Sequence, residues 1–201
     1  MKEEIDANNQ QEINSELPGN LLVLSVISAL VYVVVGWLIF YFFRDMGVES
    51  AFDHGFSVST QLAIGTGSGI VGAGIISYLM DRPPISGVLD DFYIVRILSN
   101  TRLGLFDRTQ LSLFAGAGEE FLFRGAMQPL LGIWVTSLIF VGLHGYFKFQ
   151  KLGHIAFGVM MFGLSMGLGY VYEYAGLIAA MTAHAIYDMI MLYQVTKKLT
   201  D

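Results

Sequence analysis

The chain has 201 residues, of which 54% are hydrophobic and only 14% charged, and its mean hydropathy is +0.59. A net charge of −6 argues against nucleic acid as a partner, and the absence of cysteine removes disulfides, thiolate metal sites and any cysteine nucleophile. Such a composition excludes an ordinary soluble domain and predicts an all-α, polytopic integral membrane bundle.

Five of the seventeen acidic residues fall in the first sixteen positions. Residues 1–19 read as a flexible, acidic cytoplasmic tail without the basic start of a secretory signal, so the apolar run 17–43 is expected to persist as the first span. Crossing a bilayer takes about 20 apolar residues, and 17–43, 55–80 and 152–172 reach that length without a charged side chain. About six transmembrane helices are predicted, near 20–43, 56–80, 109–130, 132–148, 152–172 and 176–195. The third and fourth are separated within an uncharged run, 125–147, on the strength of Gln128-Pro129 and Gly132.

Of the eleven Lys and Arg residues, this arrangement puts Lys2, Arg82, Arg96, Arg102, Arg108, Lys148, Lys151, Lys197 and Lys198 on one side. Arg44 lies opposite and Arg124 within a span, so both termini are expected to be cytoplasmic. The long connector 81–108 carries Pro83-Pro84, Asp90-Asp91 and an apolar piece, 92–98, that reads either as an amphipathic helix on the bilayer surface or as a plain connector. Residues 20–107 thus form two N-terminal helices and a cytoplasmic loop, and 108–201 a second unit.

Gly67-Ser68-Gly69-Ile70-Val71-Gly72 fits a dinucleotide-binding pattern, with Asp91 about twenty residues on. No strand precedes it and the run is apolar, so close helix packing through small residues is the better account. Aromatics near span ends, such as Trp37, Tyr41, Trp134 and Tyr170, read as an interfacial belt.

Ionisable residues inside apolar spans are costly and point to function. Glu119 and Glu120 lie about 100° apart on one helix, while Glu120 and Arg124, four residues apart, can pair along one face. That leaves Glu119 to face a cavity as a base. His144 closes the fourth span, and His184 and Asp188 share a face of the sixth. His144 is expected to lie shallower than Glu119 because Lys148 follows so soon. His154 is expected to bond only a backbone carbonyl. A glutamate, two histidines and an aspartate meeting in a dry pocket could activate water and stabilise an oxyanion. Alternatively Glu119, His144 and His184 could hold a divalent metal such as zinc around an activated water, although no HExxH helix is present.

These residues carry a resemblance to the CPBP intramembrane proteases, the family of prenyl-protein CAAX endopeptidases and Abi-type proteins. The EExxxR motif reads Glu119-Glu120-Phe121-Leu122-Phe123-Arg124. FxxxH reads Phe140-Val141-Gly142-Leu143-His144, and HxxxN/D reads His184-Ala185-Ile186-Tyr187-Asp188. The resemblance covers about 108–196 and implies that 108–201 is a catalytic membrane core. It implies that Glu119 and His144 activate the hydrolytic water and that His184 and Asp188 stabilise the oxyanion. Glu120 and Arg124, with the motif residue Phe140, would support the site. The expected activity is an endopeptidase cutting near the C-terminus of a membrane-tethered protein or peptide, in the inner membrane of a bacterium, with or without one divalent metal. The rival readings are a catalytically inactive scaffold or bacteriocin-immunity-type protein and, from the buried Glu and His alone, a proton-coupled carrier, though no repeated halves are visible.

Overall fold

The computed structural model describes residues 2–88, 91, 92, 96, 101 and 103–197. Among them every regular element is helical: α1 (Lys2–Phe43), a 3-10 turn (Val48–Ala51), α2 (Val58–Met80), α3 (Leu105–Glu120), a π-helical segment (Phe121–Met127), α4 (Gln128–Leu143), α5 (Leu152–Ala175) and α6 (Leu177–Lys197). The helix of α1 starts at Lys2, and its apolar part is Asn20–Phe43. Of the apolar piece 92–98 only Phe92 and Arg96 lie among the described residues.

Four helical runs, rather than about six, are long and apolar enough to cross a membrane: Asn20–Phe43, Val58–Met80, Leu105–Leu143 and Leu152–Ala175. The difference has two sources. α6, which carries His184 and Asp188, is not among the four, and α3, the π segment and α4 form one run of 39 residues. That run nevertheless reverses. Glu119 and His144 are 25 residues apart, which would separate them by about 37 Å along a straight helix, yet their side chains approach to 3.4 Å. Gly132, with φ 77° and ψ 167°, is the non-helical residue inside the run. A positive φ is costly for any residue with a Cβ, and here it falls at the break that Gln128-Pro129 and Gly132 predicted. The reversal also brings His144 to the level of Glu119 instead of leaving it shallower.

The apolar surface faces outward. On α1, Leu24, Leu30, Val34 and Trp37 are each at least half exposed, while Glu120, Arg124, Thr136, Ser137 and Ser165 are 0–1% exposed. A soluble bundle would invert that pattern; a bundle solvated by lipid tails keeps it. The helices close on one another through small residues. A Cβ added at Gly65 or Gly69 of α2 would fall 2.5 or 2.6 Å from a backbone oxygen of α6, and one at Gly116 of α3 would fall 2.8 Å from another. Gly67, by contrast, faces open space. Of the three glycines in the dinucleotide-like run, only Gly69 marks a tight helix contact. The connector contributes Ile85, Val88 and Phe92 to a core shared with Leu122, Phe123, Phe140, Val141 and Phe157, so it is packed against the bundle.

Candidate active site

Glu119 and Glu120 end α3 and diverge as their spacing requires. Glu120 is fully buried and holds two partners: its Oε2 accepts from Arg124 Nε at 3.0 Å, and its Oε1 lies 2.8 Å from His184 Nδ1. A carboxylate accepts, so Nδ1 carries the proton in that bond. Arg124 sits in the π segment with no exposed surface. Its Nη2 donates to Ser165 Oγ of α5 at 2.8 Å, and its Nη1 reaches Ser137 Oγ at 3.4 Å and Gln128 Oε1 at 3.5 Å. The guanidinium also lies 5.7 Å from the centre of the Phe140 ring. Gln128 passes the network on, donating to Gly169 O at 3.0 Å and to Glu173 Oε2 at 3.3 Å. Burying a charge is tolerable only when it is paired and hydrogen-bonded, and this charge is held from three helices, α3, α4 and α5.

Glu119 stands apart from that network. Its Oε2 is buried without a hydrogen bond, and its nearest ionic neighbour is His144 Nε2 at 3.4 Å. His144 follows the last residue of α4, and its Nδ1 lies 2.8 Å from Phe140 O. A carbonyl can only accept, so Nδ1 holds the proton and the Nε2 edge is the one turned to Glu119. The Phe140 ring stacks on the imidazole at 4.2 Å between centres. His184 Nε2 lies 3.6 Å from Asp188 Oδ2, one turn further along α6.

The structure therefore brings all seven sequence-predicted residues into one neighbourhood but divides them. Glu120, Arg124 and His184 form a bonded core, Glu119 and His144 face each other with a hydrogen-bonding site open, and Asp188 borders His184. The zinc arrangement does not fit this geometry. Among the described residues no three His, Asp or Glu side chains gather to hold a metal ion, and His184 is turned to Glu120 and Asp188 instead of to the Glu119–His144 pair. His154 also departs from expectation: its Nε2 lies 2.9 Å from the side chain of Asp91 in the connector rather than on a carbonyl. Asp91 additionally accepts from Lys151 Nζ at 2.8 Å. These two partners hold the Asp91 carboxyl below its ordinary value of 3.8, the Lys151 hydrogen bond most of all. Sequence reasoning missed Ser137, Ser165 and Gln128. Their signal was polarity at apolar-facing helix positions, too weak to separate from ordinary membrane-helix serines.

Residues 102–190 match the family model of Rce1-like type II CAAX prenyl endopeptidases. That stretch, under half of the chain, is similar to this family and contains the EExxxR, FxxxH and HxxxN/D motifs. The uncharacterized protein YpbD of Bacillus subtilis (strain 168) is 40% identical over 86 residues, which is 42% of this chain and 43% of that relative. The chain thus covers less than half the length of the curated relative it matches. No solved structure matches the chain significantly.

Proposed function

We propose that the protein is an intramembrane endopeptidase in which Glu119 and His144 activate water, acting near the C-terminus of a membrane-tethered protein or peptide. The observation that carries this reading is the unsatisfied Glu119 Oε2 beside His144 Nε2. A buried carboxylate oxygen without a hydrogen bond is expensive unless something enters to fill it, and a water bridging the two groups would satisfy both.

In that arrangement Glu119 takes a proton from the bridging water as its oxygen bonds to the scissile carbonyl carbon, and the carbonyl π electrons move onto the oxygen. Carrying both ring protons, His184 would donate Nδ1–H to Glu120 and Nε2–H toward Asp188 and the new oxyanion. Collapse of the tetrahedral intermediate breaks the C–N bond as the proton held at Glu119 passes to the leaving nitrogen. Arg124 holds Glu120 in place through its 3.0 Å hydrogen bond and touches no reacting atom. The basic residues of the connector and of 148–151 support an opening toward the cytoplasm, and the similarity to a Bacillus subtilis protein supports a bacterial membrane.

The test is cleavage of tethered C-terminal peptides by purified protein in lipid nanodiscs. Glu119→Gln should lower kcat by about 10²- to 10⁴-fold with an unchanged melting temperature, and chelator should leave the wild-type rate intact. A folded Glu119→Gln variant that cuts as fast as wild type refutes the reading, and one that still functions in cells favours the scaffold.

A further inference from the structure

His144 is gripped by more than its motif. Gly145, at φ 70°, turns the chain back at the end of α4, and Tyr146 N–H bonds to Val141 O at 3.2 Å. The reversal lays the Tyr146 ring near-parallel to the imidazole, 5.6 Å away and 23° from its plane, while Phe140 lies at 4.2 Å and 26°. Two nearly parallel rings thus flank one imidazole.

Tyr146 is itself held edge-on by Phe157 of α5 at 5.4 Å and by Phe92 of the connector at 6.2 Å. Phe92 packs on Phe157 at 4.3 Å, and Lys148 Nζ lies 4.9 Å from its ring centre. The neighbouring Asp91 is fixed by Lys151 and His154, and its backbone oxygen accepts from Lys148 Nζ. Tyr146 also lines an apolar cavity of about 360 Å³ with Leu138, Phe147 and Phe162.

We propose that Tyr146 is a positioning residue that holds the His144 imidazole in the orientation and tautomer that turn Nε2 to Glu119, with Phe92 backing it from the connector. The physical reason is rotational freedom. One hydrogen bond from Nδ1 fixes the ring's edge but not its tilt, and a tilted ring loses both that bond and its aim at Glu119. Flat neighbours on an imidazole oppose the tilt, whereas an aliphatic side chain of similar volume leaves the ring free.

Only the activity arm of the test rests on the protease reading. Full-length protein in nanodiscs, labelled with ¹⁵N-histidine, reports the tautomer of His144 directly, assigned by loss of its signals in His144→Gln. Wild type and Tyr146→Phe should show His144 as the Nδ1–H tautomer, and Tyr146→Leu should give averaged signals from both. In the cleavage assay Tyr146→Leu should lower kcat by about three- to tenfold at unchanged KM, with Tyr146→Phe close to wild type. If Tyr146→Leu does not fold, Phe92→Leu carries the same spectral readout with Tyr146 in place but unbacked. Unchanged His144 signals in a folded variant overturn the proposal. A wild type that cuts no peptide would overturn the protease reading and leave the spectra to decide on Tyr146 alone.

Discussion

Removing Arg124 and Glu120 together should damage the fold far less than the sum of removing each alone. Both side chains are 0% exposed, and their 3.0 Å contact is surrounded by protein. Arg124→Met strands the Glu120 carboxylate with only His184 as a partner, and Glu120→Leu strands the guanidinium with neutral serines and an amide. Breaking a buried pair from one side costs about 3–5 kcal/mol, so each single variant should lose that much. The double variant removes both charges at once. What remains is a deserted His184 Nδ1–H and the freed Ser165 hydroxyl, about 1–3 kcal/mol for each unsatisfied polar group. The double variant should therefore lose roughly 2–6 kcal/mol, against roughly 6–10 kcal/mol if the singles added, a coupling well above the scatter of distant sites. The assay is reversible denaturation of the four proteins in the same mild detergent. Additive losses would refute the claim that this pair is one electrostatic unit.

Two further expectations concern regions away from the ionisable cluster. Gly69→Ala should destabilise the protein by about 1–3 kcal/mol by forcing α2 from α6, whereas Gly67→Ala, facing open space, should be neutral or stabilising by up to about 1 kcal/mol through helix propensity; thermal denaturation of the two variants compares them, and equal effects would contradict the packing. Because Asp91 is held below its ordinary 3.8, the grip of the connector on Lys151 and His154 is fully present above that value and is lost as pH falls through the lower folded value. Limited proteolysis of the connector should therefore accelerate in that acid window for wild type, while Asp91→Asn should be cut rapidly at neutral pH as well.

Much of the site was legible because charge in an apolar run is a strong signal. Glu119, Glu120, Arg124, His144, His184 and Asp188 stood out by type and spacing, and the Glu120–Arg124 pairing followed from a separation of four. The reversal at Gly132 was also readable from Gln128-Pro129 and the glycine. The division of the helices into apolar runs was less so. Apolar length alone does not say whether a run folds back, and α6 trades apolarity for the polar residues of the site. The partner of His154 was missed because Asp91 is 63 residues away in the chain, and no local pattern connects a connector carboxylate to the first turn of another helix. The placement of the Tyr146 ring was invisible for another reason: it depends on the backbone turn at Gly145, which lays the ring near His144.

The π-helical segment between Glu120 and Gln128 makes chain length itself a determinant of the site. Its backbone bonds reach one residue further back than those of an α-helix, so the segment absorbs residues that α geometry would turn into rotation. Deleting a single residue there would swing the Glu119–Glu120 face by about 100° relative to α4, parting Glu119 from His144 without changing any side chain. Insertions and deletions that a surface loop would absorb should therefore be absent from Phe121–Met127 in a working variant of the protein.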